Sequence, residues 1–194
     1  MENKDEKVRQ KILAAAKTAF LKSGYNKVSM NDIAIEAGIG RSTLYYYYLN
    51  KQDTFNALMV KESKHIFEGT YQRISNKNSF HDNLHIYNRF KLDCIDGIIK
   101  KYELLMADLH NKPENFDGFK QEIRVEEEAI FKQLLIWGIQ NHDVAPVSDE
   151  DIDHLASTLN TAVNSLQEET FKGEGVDTAN RLAWLIRILS KGIK

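Results

Sequence analysis

The sequence predicts an all-α protein of about nine helices. Three observations predict this class: only two prolines occur in 194 residues, apolar residues recur at helical spacing, and capping residues bound the apolar segments. Hydrophobic residues make up 42% and charged residues 28% of the chain, which is typical of a globular domain rather than a disordered one. Collagen-like and turn-rich all-β architectures are excluded because they need more proline and glycine.

The first 50 residues are predicted to form three helices. Helical spacing of apolar residues predicts the first over 4–23, and Gly24 follows it where a C′ glycine belongs. Ser29 begins a near capping box at the start of the second helix, which Gly38 ends after about two turns. A short third helix is expected over about 41–47.

The rest of the chain is predicted to form six further helices. They are a fourth helix capped by Asn50, helices over about 82–100, 102–110 and 121–141, an eighth capped by Ser148, and a last helix over about 178–191. Residues 111–118 form the clearest interior break. The last helix is apolar on nearly every side, so it must be buried against its own core and against a partner.

Charge is unevenly distributed along a chain whose net charge is −2. Residues 1–60 carry nine Lys and Arg against six Asp and Glu, whereas the remainder carries seventeen against twenty-two. A basic head on an acidic body indicates that one end of the protein meets an anionic surface.

The cysteine count and the hydropathy pattern indicate the cellular compartment of the protein. The single cysteine, Cys94, excludes an internal disulfide and a multi-cysteine zinc site, and it fits a reducing compartment. No apolar run reaches the roughly 18 residues of a membrane span, and the N-terminus is too polar for a signal peptide. We therefore expect a cytoplasmic protein.

Two short helices joined by a glycine-containing turn form a helix-turn-helix, whose second helix can enter the major groove of DNA. Over about residues 8–60 the sequence closely resembles the N-terminal pattern of the tetracycline-repressor (TetR) family. The matching segments are ILAAA at 12–16, Phe20, 24–25, VSMNDIA at 28–34, AGI at 37–39, TLYYYY at 43–48 and 50–51. The resemblance implies a DNA-binding domain over 1–50 and a larger helical domain over 51–194 for effector binding and dimerisation.

Seven residues of the matching region are expected to contact DNA. They are Ser29, Arg41, Ser42, Thr43, Tyr46, Tyr47 and Lys51. Phosphates are bound by hydroxyls, by amides at helix N-termini and by cations, although Ser29 could be a cap alone and Lys51 a surface charge. Arg41 fits a guanine edge and a phosphate equally well. Successive helical residues turn by about 100°, so the four tyrosines cannot all face one way. The resemblance implies that Tyr45 packs against the first helix.

The resemblance also implies a homodimer on palindromic double-stranded DNA, because one short recognition helix makes few base contacts. The expected interface residues are Leu155, Leu159, Val163, Leu166, Trp184, Leu185 and Ile188, for which a purely intramolecular core is the alternative. A small-molecule effector is expected among the middle helices. Its candidate contacts are Phe90, Cys94, Tyr102, Met106, His110, Phe131, Leu135 and Trp137, with Asn160 or Asn164 as further polar anchors. This composition favours a lipophilic or aromatic effector, and ordinary core packing is the alternative.

Other functional classes find little support in the sequence. His81 and His85 are spaced so that one helix face could present two metal ligands, but they can equally be exposed histidines, and we predict neither a metal nor a cofactor. No glycine-rich phosphate loop, HExxH or GxSxG motif occurs. We predict a ligand-responsive transcriptional regulator, a repressor in the first instance, and not an enzyme. The alternatives are a helical protein–protein adaptor that keeps the fold without reading DNA and, after it, a small all-α enzyme.

Overall fold

The computed structural model describes residues 4–111 and 117–171, together with 181, 184–185 and 187–188. Its helices are α1 (Lys4–Lys27), α2 (Met30–Ala37), α3 (Arg41–Tyr47), α4 (Lys51–Tyr71), α5 (Phe80–Lys101), α6 (Glu103–Asn111), α7 (Asp117–Gln140) and α8 (Asp149–Phe171). The described residues near the C-terminus are helical and fall within the predicted ninth helix. These described segments contain no strand, and the predicted all-α class is confirmed. No helix in the same segments is long and apolar enough to cross a membrane.

The predicted helix caps are present. The Ser29 hydroxyl accepts a hydrogen bond from the Asp32 backbone N–H, and the Asp32 carboxylate accepts one from the Ser29 N–H, which completes the capping box. Gly38 ends α2 in the left-handed conformation, with φ 59°. Asn50 caps α4 through its side-chain oxygen, and Ser148 caps α8 through its hydroxyl.

The first helix is interrupted at Gly24, directly after the end that the sequence predicted, and a short helical segment follows within α1. Gly24 adopts φ 76° and ψ 177°, which interrupts the helix, and helical geometry then resumes as far as Lys27. A Cβ atom on Gly24 would lie 2.5 Å from a carboxylate oxygen of Asp108 and 3.3 Å from the Leu104 carbonyl oxygen. Glycine is therefore required here both by the backbone conformation and by the close approach of α6.

The chain forms two compact units. Unit 1 comprises residues 1–65 and 93–122, and unit 2 comprises 66–92 and 123–194. This division differs from the predicted boundary at residue 50, because α6 packs against α1 and brings Tyr102 and Leu105 into the core of unit 1. The core of unit 2 is built mainly by apolar residues of α5, α7 and α8, with Phe67 at the end of α4.

Candidate nucleic-acid interface

The short helix α3 presents a polar and aromatic face to solvent. Arg41, Ser42, Thr43 and Tyr46 are all exposed, whereas Leu44 is fully buried in the core of unit 1 and fixes the orientation of the helix. Tyr46 is 79% exposed, which is unusual for so large a ring. A guanidinium, two hydroxyls and a phenol on one short helix can contact both base edges and phosphates.

The four consecutive tyrosines divide between surface and core, as the helical geometry requires. Tyr48 is buried with the α1 residues of the unit 1 core, while Tyr47 is half-buried. Tyr45, which was expected to pack against α1, is 40% exposed and does not join the buried residues of that core. Tyr48 is the buried tyrosine; it follows α3 as its C-cap in an extended conformation, and its backbone N–H donates to the Leu44 carbonyl oxygen.

Tyr47 fastens the end of α3 to the first turns of α1. Its hydroxyl donates a hydrogen bond to an Asp5 carboxylate oxygen at 3.0 Å. The Arg9 guanidinium lies 5.3 Å from the centroid of the Tyr47 ring and 5.8 Å from that of Tyr48. Desolvation and the bond to Asp5 raise the pKa of Tyr47, so the phenol stays protonated and remains a donor.

Ser29 acts as a helix cap, and both of its donors are occupied within the chain. Its backbone N–H and its hydroxyl donate to the same Asp32 carboxylate oxygen, at 2.8 and 2.6 Å. These bonds lower the pKa of Asp32, so the carboxylate is ionised at neutral pH. A phosphate that approached Ser29 would therefore meet a negative charge and a donor pair already in use.

Lys51 is half-buried rather than a free surface cation. Its ammonium donates to the Tyr25 backbone oxygen at 2.9 Å and lies 4.2 Å from the centroid of the Tyr25 ring. Desolvation lowers the pKa of Lys51, and the nearby Asp108 carboxylate opposes that shift. The Tyr25 hydroxyl donates to Gln52 at 2.7 Å, so Lys51 and Gln52 together fasten the start of α4 to the end of α1.

One contact beside the helix-turn-helix escaped prediction from the sequence. Asp108 on α6 accepts hydrogen bonds from the backbone N–H and the side-chain amide of Asn26, at 2.9 and 2.8 Å. The two residues are 82 positions apart, so no local pattern indicates the pair. In the sequence, Gly24 is the residue that points to a close approach here, because its missing side chain leaves room for the Asp108 carboxylate.

The residues predicted to line an effector site are divided between the cores of the two units. Tyr102 is buried in the core of unit 1, whereas Phe131 and Leu135 are fully buried in the core of unit 2. Helical spacing indicates burial but not which core a residue joins, and the effector site stays a prediction. Phe90, Cys94 and Trp137 are partly buried, and the side chains of Met106 and His110 lie outside the described residues.

Unit 2 contains a buried polar cluster on α5, α7 and α8. Its members are Tyr87, Asn88, Lys91, Glu127, Asn160, Asn164 and Gln167. Lys91 forms an ion pair with Glu127 and donates to the Asn164 side-chain oxygen at 2.7 Å. Glu127 also accepts from the Tyr87 hydroxyl at 3.1 Å and from the Asn164 amide at 2.7 Å. The sequence analysis had proposed Asn160 and Asn164 as polar anchors, but not their charged partners.

Two of the residues predicted for a dimer interface belong to the chain's own core. Leu159 and Val163 are buried in the core of unit 2, which for these two favours the alternative of an intramolecular core. Leu155, Leu166 and Leu185 are partly buried against the same core. Trp184 and Ile188 are 55% and 45% exposed and stand one helical turn apart.

The two histidines considered as metal ligands lie close together on α5. The ring centroids of His81 and His85 are 5.8 Å apart and the rings meet edge to face. Within the described part of the chain, no three His, Cys, Asp or Glu side chains are grouped so that they could hold a metal ion.

Comparison with known proteins finds a family profile that matches the region holding α2 and α3. Residues 12–58 match the profile described as "Bacterial regulatory proteins, tetR family". The chain is 28% identical over 74 residues to the HTH-type transcriptional regulator YhgD of Bacillus subtilis, covering 38% of this chain and 39% of YhgD. It is 27% identical over 111 residues to IcaR of Staphylococcus aureus, named a negative transcriptional regulator of the biofilm operon icaADBC, covering 57% and 58%.

A likeness of fold extends over nearly the whole chain. The structure of the regulator FadR from Bacillus subtilis, solved in complex with stearoyl-CoA, superposes with a TM-score of 0.62 and 19% identity, covering 95% of this chain and 99% of FadR. The sequence matches to YhgD and IcaR, by contrast, span only about two fifths to three fifths of those proteins.

Proposed function

We propose that the chain is a transcriptional repressor of the TetR family that binds double-stranded DNA through α3, since residues 12–58 match the profile of that family. The observation that carries the proposal is the exposed face of Arg41, Ser42, Thr43 and Tyr46 on a helix that Leu44 holds in place. Both named relatives are regulators, and the name of IcaR specifies negative control. We propose the cytoplasm as its location, because a repressor acts where bacterial DNA is.

We propose that the DNA is read by a homodimer on a palindromic operator. One copy of α3 offers few base contacts, and a two-fold symmetric dimer doubles them on a symmetric site. The exposed Trp184 and Ile188 support a second copy as partner, because moving large apolar side chains out of water lowers the free energy. Leu155, Leu166 and Leu185 would border that interface.

We propose that a small-molecule effector binds in unit 2 and weakens DNA binding. The buried polar cluster supports this location, since Lys91, Glu127 and Asn164 offer a cation, an anion and an amide within an otherwise apolar core. Such an effector would combine an apolar body with polar groups that replace some of these bonds. Effector and DNA must then affect each other's affinity by the same factor.

Fluorescence anisotropy of the purified protein against duplex DNA from upstream of its own and adjacent genes tests the proposal. With unlabelled random DNA as competitor, we expect saturable binding by two protomers per site. Raising the salt from about 50 to 200 mM should weaken the binding steeply, since released counterions accompany each phosphate contact. Binding no tighter than to random DNA at every fragment would contradict sequence-specific repression and favour the adaptor.

Matched substitutions identify the reading surface. Arg41→Ala and Tyr46→Ala should each weaken operator binding by about tenfold or more, because a lost base contact costs about 1–3 kcal/mol. Arg89→Ala and Tyr71→Ala remove the same side chains from exposed positions in unit 2 and should leave the affinity unchanged. Equal effects of both pairs would show that α3 does not read the DNA.

A further inference from the structure

The contact between Asp5 and Tyr47 joins the start of α1 to the recognition helix. The Tyr47 hydroxyl donates to the Asp5 carboxylate at 3.0 Å across 42 positions of the sequence. Tyr47 also lies against Tyr46, with ring centroids 5.1 Å apart and rings edge to face, and Tyr46 is the exposed aromatic of α3. The Asp5 carboxylate therefore lies at the border of the surface that would face DNA.

The chemistry of the pair makes the carboxylate a competitor of phosphate. A phenol has one hydrogen to donate, so Tyr47 can bond either to Asp5 or to a phosphate oxygen, but not fully to both. A carboxylate and a phosphate are both anionic acceptors of similar hydrogen-bonding geometry. The negative charge of Asp5 also repels a nearby phosphate, most strongly at low salt.

We propose that Asp5 limits the DNA affinity of this protein by holding the Tyr47 hydroxyl in the DNA-free state, so that a phosphate must displace the carboxylate before Tyr47 can bind it. The inference rests on the proposed function, namely that α3 binds DNA. Arg9 supports the exchange, because its guanidinium stays against the Tyr47 ring and keeps the phenol in place when the hydroxyl changes partner.

Another role for Asp5 is to stabilise the N-terminus of α1 through the helix dipole. Glu6 serves that role equally well, since it stands in the same first turn and carries the same charge. Its carboxylate accepts a hydrogen bond from Gln10 on its own helix, at 2.5 Å. Glu6→Ala is therefore a matched control for Asp5→Ala, with equal loss of charge and of dipole stabilisation.

The test measures the affinity of each variant for a random-sequence duplex by fluorescence anisotropy in about 50 mM salt, where phosphate contacts dominate the binding. Asp5→Ala should bind about five- to tenfold more tightly than wild type, whereas Glu6→Ala should gain about twofold from lost repulsion alone. The melting temperature of Asp5→Ala should fall, because the bond to Tyr47 is lost. A purely structural Asp5 would instead lower the stability and the DNA affinity together.

Tyr47→Phe completes the experiment by removing the hydroxyl and keeping the ring. In that background, Asp5→Ala should gain no more affinity than Glu6→Ala does. A gain of the same size with and without the hydroxyl would overturn the proposal, as would weaker binding by Asp5→Ala. A wild type that binds neither this duplex nor any of the upstream fragments in about 50 mM salt would overturn the proposed function itself, whereas a wild type that binds, with no excess gain in Asp5→Ala, would overturn only the role of Asp5.

Discussion

Lys91 on α5 and Glu127 on α7 form an ion pair in the interior of unit 2, with side chains only 10% and 3% exposed. Taking both charges out of water carries a desolvation penalty that their attraction repays only where further hydrogen bonds complete the site. Tyr87 and Asn164 supply those bonds to Glu127, and Asn164 also accepts one from Lys91. A buried pair of this kind is weak evidence for stability, which agrees with the ligand-binding role we propose for it.

Removing one member of this pair should destabilise the protein far more than removing both. Lys91→Met leaves Glu127 buried without its cation and should lower the free energy of unfolding by about 3–5 kcal/mol. The double variant Lys91→Met with Glu127→Leu should recover most of that loss, because no unpaired charge remains. Urea denaturation followed by circular dichroism, at one protein concentration for all variants, measures both. A double variant as unstable as the single one would show that the polar cluster is needed for folding itself.

Protonation of Glu62 should lower the stability of unit 1 at acidic pH. Burial alone would raise its pKa, but hydrogen bonds from Lys17 at 2.7 Å and Tyr102 at 3.1 Å outweigh burial, so the pKa lies below its usual value. A folded-state pKa below the unfolded one contributes stability above the unfolded value of about 4.3, and this is lost as the pH falls through the folded pKa.

The variant Glu62→Gln cannot titrate and checks the sign of that dependence. It should be less stable than wild type at pH 7, and the difference should shrink as the pH falls below about 4. Melting curves at several pH values measure the difference directly. A gap that stays constant down to the lowest pH would show that Glu62 is not the group responsible.

Gly24 and Gly97 should respond in opposite directions to a methyl group. Gly24→Ala forces a positive φ on alanine and places its Cβ against the Asp108 carboxylate, so we expect a loss of about 1–3 kcal/mol of stability. Gly97 lies in α5 with nothing within 4 Å of a Cβ, so Gly97→Ala should stabilise by about 0.5–1 kcal/mol. Thermal denaturation of both variants distinguishes the outcomes, and a neutral Gly24→Ala would mean that α6 moves away at little cost.

The sequence predicted features whose partners lie within a few residues, but it did not predict contacts between helices distant in sequence. Ser29, Gly38 and Asn50 were predicted as helix boundaries because a cap bonds within three or four residues of itself. The partners of Tyr47 and Asn26 were not predicted, since Asp5 and Asp108 meet them only through packing of helices distant in sequence. An apolar stripe likewise showed that Leu159 and Val163 are buried, but not that the burial is within the same chain.

The sequence left two interpretations of Lys51 open, a phosphate contact and a plain surface charge, and substitution of Lys51 can distinguish them. A plain surface charge can be removed without effect on stability, but the Lys51 ammonium bonds to the Tyr25 carbonyl oxygen and lies on the Tyr25 ring. Lys51→Met should therefore lower the free energy of unfolding by about 1–2 kcal/mol. Lys22→Met, the same change at an exposed position of α1, should leave stability unchanged in urea denaturation.

The same variant also reports on DNA, because an ammonium has three hydrogens and the Tyr25 carbonyl uses one. If Lys51 reaches a phosphate with the others, Lys51→Met should flatten the dependence of log affinity on log salt by about one unit, compared with Lys22→Met. An unchanged slope with reduced stability would make Lys51 a structural link between α1 and α4. Phosphate binding would then rest with the side chains exposed on α3.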